Sequence, residues 1–301
     1  MRALIFHGSG DLRLEHVPDP EPGPGDVLVR VEVALTDGTD LKTFRRGHPL
    51  LLGELPSPFG HEFCGIDTAT GRRVVAANSD GDLDDLQLLN GAYAELLVVP
   101  ERIVQVNLHP APSGLAPEVA ALVEPLACCL HGVDRAELSG GEQVTILGAG
   151  PIGLMLCACV ADAGTTPVVL GGRAERRALV PDFGGVTGEG TGADVVIDAA
   201  GTATSWCQTL GLVRKGGTVV LFSGLPSGER VEFDAYKLHY EEVTLRGAFH
   251  HTPHTVRAAL AFLASGAYPW NKLITHRVTL EEVPALFADP PHDLLKAAVI
   301  P

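Results

Sequence analysis

Residues 143–164 read QVTILGAGPIGLMLCACVADAG. A short β-rich run, QVTIL, meets Gly148-Ala149-Gly150-Pro151-Ile152-Gly153, and an apolar stretch of helical composition follows at once. In a strand-turn-helix of this kind the first glycine permits the tight turn and the second lets a pyrophosphate approach the backbone. The third lets the helix pack on the strand, with the phosphate at the helix N-terminus. Glycine-rich turns are common, so the specificity comes from the placement between strand and helix. We expect Gly148, Gly150, Pro151, Ile152 and Gly153 to line a dinucleotide site.

Working outward, the segments PVVLGG, ADVVIDAAG and GTVVLFSG continue an alternation of β-rich and helical runs over residues 126–249, the rhythm of a parallel, doubly wound sheet. Between Arg177 and Ala193 the chain is too short for a full strand-helix pair, which predicts a truncated strand or a missing helix there. Residues 1–125 differ in texture: RALIF, DVLVRVEVAL, RRVVAA and AELLVV are short strand-like runs separated by turns such as PDPEPGPGD. The tail, 250–301, holds one predicted helix (PHTVRAALAFLASG) and a closing strand, KAAVIP. The fold class is α/β, with 1–125 and 250–301 forming an irregular β-rich domain and 126–249 a Rossmann domain.

With 46% hydrophobic residues the chain can bury a substantial core. Its 22 Lys+Arg against 37 Asp+Glu give a net charge of -15. That charge repels nucleic acid and anionic membranes and favours a small-molecule partner. No apolar run of 18 residues occurs, and MRALIFHGSGDLRLEH turns polar early, so a cytoplasmic location is expected. The six cysteines form no CxxC pair, which predicts buried thiols in a reducing compartment.

At the end of PVVLGGRAERR, where an NAD site usually carries an acidic residue for the ribose 2′-hydroxyl, stand Gly171 and Gly172, followed by Arg173, Arg176 and Arg177. An uncharged position followed by arginines fits a 2′-phosphate, so NADP(H) is expected over NAD(H). In the first domain TDGTDLKTFRRGH follows the strand VLVRVEVAL. Asp37 and Asp40, flanking Gly38-Thr39, would crowd each other unless a positive charge sits between them. Gly60-His61-Glu62 and Glu124-Pro125 supply an imidazole and further carboxylates, a donor set that zinc accepts at about 2.0–2.2 Å.

These motifs, in this order (GTDLKTFRRG, GHEF, GAYAELLVVP, EPLA, GAGPIG, GGTVVLFSG), resemble the zinc-containing alcohol and polyol dehydrogenases of the medium-chain dehydrogenase/reductase family, whose first domain is GroES-like. The family has cysteine where Asp37 stands. The resemblance implies Asp37 and His61 as zinc ligands, Glu62 or Glu124 as the third, and Asp40 as the residue orienting His61. It implies one catalytic zinc and no structural zinc, since the cysteine-rich lobe is replaced by AANSDGDLDDLQLLN, whose run DGDLDD is expected to be a solvated acidic loop. Thr39 would relay the hydroxyl proton, and Lys42 stands where a histidine often ends that relay. Gly224 and Phe249 fall on the cofactor by the same resemblance, and the neighbouring His250-His251-Thr252-Pro253-His254 on the cofactor or the substrate, with Thr252-Pro253 opening a helix.

The implied reaction is hydride transfer between NADP(H) and a polyol, sugar or small secondary alcohol or ketone. A zinc-free quinone or enone reductase of the same superfamily and a non-catalytic NADP-binding sensor are the alternatives. The implied assembly is a homodimer or tetramer joined through the edges of the cofactor-domain sheets, with GTVVLFSG near the contact.

Overall fold

The computed structural model describes residues 1–48 and 50–301. The chain folds as two compact units, Met1–Pro125 with Thr252–Pro301, and Leu126–His251. His250 and His251 therefore close the second unit, whereas their sequence texture grouped them with the tail.

In the first unit a seven-stranded sheet runs in the spatial order Ile274–Thr279, Lys296–Ile300, Val27–Leu35, Glu62–Asp67, Arg73–Ala76, Leu108–Pro110, with Leu96–Val99 also paired to Val27–Leu35. The closing strand lies parallel to Ile274–Thr279 and antiparallel to Val27–Leu35, so residues more than 250 positions apart in sequence become neighbours. A smaller sheet joins Asp11–His16, Arg2–Gly8 and Ser57–Pro58. Val29, Val31 and, past a register shift between Val31 and Val33, Ala34 of VLVRVEVAL pack into a core containing Phe6, Phe44, Phe59, Tyr93 and Phe287, whose rings lie at centroid separations of 5.6–6.3 Å. Each such buried side chain contributes about 1.5–3 kcal/mol. One helix, Glu101–Asn107, arises where no helical pattern is legible in the sequence.

The second unit is a six-stranded parallel sheet in the order Val186–Thr187, Val168–Leu170, Val144–Leu147, Ala193–Asp198, Val213–Leu221, Thr244–Gly247. The first strand of the unit lies inside the sheet, and the order reverses beside it, the crevice where nucleotides bind in doubly wound folds. The short connection is indeed truncated. It holds a four-residue helix, Ala174–Arg177, a 3-10 turn, Val180–Phe183, and a two-residue strand. One expectation is corrected: the strand within GTVVLFSG is interior, paired on both sides, and the edge on that side of the sheet is Thr244–Gly247. An apolar strand of this kind is apolar because both faces are buried in a parallel sheet.

Candidate active site

Asp37 is the N-cap of the helix Gly38–Arg46, which follows the strand Val27–Leu35 after Thr36. Its Oδ1 accepts from the Asp40 amide at 2.6 Å, and Asp40 Oδ2 accepts from the Asp37 amide at 3.3 Å. This reciprocal capping box corrects the inference from crowding. The two carboxylates stand three residues apart because each satisfies the other's backbone at a helix start, which needs no cation.

The need for a positive charge arises instead at His61. Asp40 is fully buried and receives the Tyr93 hydroxyl and, at 3.1 Å, His61 Nδ1. With its Nδ1 proton committed to Asp40, a neutral His61 presents the lone pair of Nε2, and Nε2 faces Asp37 Oδ2 at 3.8 Å. Two electron-rich atoms so placed repel unless a proton or a metal ion lies between them. As for the proton, burial pushes the His61 pKa down, but Asp40, Asp37 and Glu124 outweigh burial and hold it well above the ordinary histidine range. As for the metal, the separation is near the roughly 3.4 Å edge of a tetrahedron with zinc-ligand bonds of about 2.0–2.2 Å.

Glu62 completes a trio, since Asp37, His61 and Glu62 each offer a ligand atom and all three atoms lie within 4.8 Å of one another. Glu124, in the first turn of the helix Val123–Ala136, is 6% exposed and acts on His61 through its charge. Thr39 and Lys42 are half-buried on the helix that Asp37 caps, one turn apart. His48, after that helix, is half-buried and within the field of His61 and Asp37; burial, and then His61, lower its pKa. Its Nδ1 accepts from the Leu51 amide at 3.2 Å, so the neutral ring carries its proton on Nε2.

Three neighbours of this site escaped the sequence analysis. Lys296 Nζ donates to both Glu62 oxygens, at 2.7 and 2.6 Å, and lies 3.2 Å from Thr36 O. Burial lowers the Lys296 pKa, but Glu62, Asp37 and Asp40 outweigh it and hold the ammonium above its usual range. Thr36 ties the approach to Asp37, donating its amide to Ala297 O at 3.0 Å and accepting the Ala297 amide on Oγ1 at 2.8 Å. Tyr93 carries the aromatic core up to Asp40. The available signal is the lone lysine of KAAVIP, because a lysine in an otherwise apolar strand requires a buried carboxylate.

In the second unit Gly148 has φ 109° and donates its amide to Leu170 O at 2.7 Å, Gly150 is the N-cap of the helix Pro151–Asp162, and Pro151 takes its first turn. A Cβ on Gly153 would lie 1.8 Å from Gly148 O, so the third glycine is demanded by helix-strand contact. Ile152 lies in the helix's first turn, where free amides face a phosphate. Gly172 has φ 79°, and a Cβ there would meet Ala149 Cβ at 2.8 Å. The lack of an acidic side chain at Gly172 therefore follows from the backbone turn by itself, which removes Gly172→Asp as a clean test of cofactor choice. Arg173 is the N-cap of Ala174–Arg177, and Arg177 Nη1 donates to Gly172 O at 2.6 Å. Gly224 and Phe249 are exposed.

His250 packs its ring on His251 at 3.9 Å between centroids. The His251 pKa falls to about 2, through burial first and then through His250 and His131, so this ring is a neutral core histidine. Thr252 and Pro253 do open the helix Pro253–Ser265. Residues 80–85 form an acidic loop that is exposed over 82–85 and half-buried at Asp80 and Gly81, and in it Asp80 and Asp82 accept from the amides of Asp82 and Asp84. Among the described residues no helix is long and apolar enough to cross a membrane.

A glycine-rich turn on a doubly wound sheet marks a nucleotide-binding unit, and the imidazole-carboxylate trio of the β-rich unit offers donors that a metal ion accepts. The chain belongs to the zinc-binding dehydrogenase family and is an alcohol/polyol-type oxidoreductase. Residues 23–112 match the alcohol dehydrogenase GroES-like domain, and residues 151–265 match the zinc-binding dehydrogenase domain. The chain is 30% identical to L-galactonate-5-dehydrogenase of Escherichia coli (strain K12), over 92% of this chain and 91% of that one. It is also 30% identical to sorbitol dehydrogenase of Bombyx mori, over 93% and 92%. A zinc-binding dehydrogenase from Sinorhizobium meliloti 1021, solved bound to NADP, superposes with a TM-score of 0.89 at 31% identity, covering 100% of this chain and 99% of that one.

Proposed function

We propose that this chain oxidises a polyol, sugar or small secondary alcohol, or reduces the corresponding ketone, using NADP(H) and one zinc ion. The observation that carries the metal is the facing of His61 Nε2 and Asp37 Oδ2 at 3.8 Å with Nδ1 already committed to Asp40. Asp37 and His61 would hold the ion, with Glu62 or Glu124 as the third protein donor. When bound, zinc supplies a Lewis acid for the oxygen of the reacting alcohol or carbonyl. Asp40 fixes the tautomer and direction of His61, and Tyr93 fixes Asp40 in turn. Thr39 would take the substrate's hydroxyl proton, and Lys42, one turn further along the same helix, stands where the family's histidine ends that relay. When bound, the nicotinamide cofactor would supply or accept the hydride.

The polyol reading rests on the relatives' substrates and on this carboxylate-rich donor set. Its test is elemental analysis of the purified protein followed by a panel of polyols, sugars, secondary alcohols and simple enones. We expect about one zinc per chain and the highest kcat/KM with a vicinal diol or polyol. Turnover of enones alone by metal-free protein would assign the chain to the zinc-free reductases instead.

For the cofactor, the supporting observations are the arginines at the end of the second parallel strand and the NADP held by the Sinorhizobium relative. Arg173 offers a planar fork able to bind two phosphate oxygens, whereas Arg177 already spends one N–H on Gly172 O. A charge-assisted contact contributes about 1.5–3 kcal/mol, so Arg173→Ala is expected to lower the NADP/NAD ratio of kcat/KM by about 10- to 100-fold. A wild-type enzyme that prefers NAD, or an Arg173→Ala variant with an unchanged ratio, would overturn the assignment.

A further inference from the structure

The site gathers four carboxylates, Asp37, Asp40, Glu62 and Glu124, around one imidazole, and its buried aliphatic cation comes from the far end of the chain. Lys296 is 1% exposed and Glu62 0%. All three ammonium protons have an acceptor, two on Glu62 and one on the Thr36 carbonyl. The neighbouring Ala297 is bonded twice to Thr36, the residue before Asp37, and Leu35 and Glu62 are register partners across the adjacent strands. The lysine is thus locked to both the Asp37 and the Glu62 sides of the trio.

Burying an ammonium costs several kcal/mol unless it is paired, and a carboxylate whose two oxygens both accept from it keeps one lone pair on each, so a metal ion would have to share its charge with the ammonium. A divalent ion drawing on Glu62 would also sit a few ångströms from a like charge.

We propose that Lys296 is a resident cation of the metal site, a positioning residue that holds Glu62 and neutralises the carboxylate cluster, so that an incoming metal ion competes with it for Glu62. The proposal rests on the reading of Asp37 and His61 as metal ligands. It entails that the first unit stays folded without metal, that metal loading is reversible, and that the charge of Lys296 weakens metal affinity while stabilising the metal-free fold.

The test compares wild type, Lys296→Met and Lys296→Arg, each treated with a chelator and then titrated with zinc. Zinc affinity is read by competition with a chromophoric chelator, and thermal midpoints are read with and without zinc. Lys296→Met is expected to bind zinc at least about tenfold more tightly. Its metal-free midpoint should fall by more than about 5 °C relative to wild type, with zinc recovering most of the loss. A Lys296→Met protein that can be folded only with zinc present supports the proposal equally. Lys296→Arg, which keeps the charge, should retain the wild-type pattern. Equal losses of midpoint with and without zinc at unchanged affinity, or failure of Lys296→Met to fold even with zinc, would reduce Lys296 to an ordinary core ion pair. Wild-type protein that binds no zinc in the same titration would instead defeat the metal-site reading, and with it this proposal.

Discussion

Asp37→Asn is expected to lose zinc and turnover while keeping the helix cap, its metal-free thermal midpoint falling only through the lost charge beside His61 and Lys296. Two roles coincide at this residue, and the substitution separates them. As N-cap, Asp37 accepts the Asp40 amide, and asparagine caps a helix as well as aspartate does. As metal donor, it contributes an anionic oxygen facing His61 Nε2, and a neutral amide oxygen is a far weaker ligand. Even partners outside the ligand set are worth 10- to 100-fold in metal affinity, so removing the charge should cost more than about 100-fold.

Two further substitutions at this position bracket the result. Asp37→Ala loses both roles, and the missing cap should lower stability by about 1 kcal/mol in addition. Asp37→Cys should retain or tighten zinc, since thiolate is a good zinc ligand, yet still lose the cap. Metal-free Asp37→Cys should therefore melt below wild type while holding zinc at least as well. An Asp37→Asn enzyme with full zinc content and normal kcat/KM would exclude Asp37 from the metal site.

The second large effect is expected at Asp40. Its carboxylate serves His61 Nδ1, the Tyr93 hydroxyl and the Asp37 amide with no exposure to solvent. Burial raises its pKa, and Asp37 adds to that, while His61 and Tyr93 oppose it. Asp40→Ala removes the acceptor of His61 Nδ1 and of the Asp37 amide and leaves the Tyr93 hydroxyl only Leu35 O, and breaking a buried charged network of this kind costs about 3–5 kcal/mol. Asp40→Asn preserves the shape and one acceptor for Nδ1 but withdraws the charge that raises the basicity of Nε2. It should fold with a smaller loss and bind zinc about 10- to 100-fold more weakly. Calorimetry of the two variants with and without zinc distinguishes these outcomes. Equal zinc affinity in wild type and Asp40→Asn would show that Asp40 serves the fold alone.

What the sequence by itself determined is what short spacing determines. GAGPIG between a β-rich run and a helical run specified a strand, a turn and a helix, because each glycine answers a steric demand within a few residues, as the 1.8 Å approach to Gly148 O illustrates at Gly153. The truncated connection after Arg177 and the Thr252-Pro253 helix start were legible for the same reason. The spacing of Asp37 and Asp40 was equally local, yet it admits two explanations. Crowded charge suggested a cation, while the capping box that the backbone adopts satisfies both carboxylates without one.

Tertiary structure decided the rest. Gly172, from its sequence, marks an absent ribose acid, but its positive φ and the closeness of Ala149 show a turn that excludes any side chain. The interior place of the GTVVLFSG strand depends on Thr244–Gly247 closing the sheet beside it, which composition does not reveal. Lys296 reaches Glu62 across 234 positions because an antiparallel pairing seats the closing strand beside Val27–Leu35. Periodicity reports which face of a strand is buried. Which strand becomes its neighbour, and hence which charge meets which carboxylate, is settled by long-range packing that no local pattern encodes.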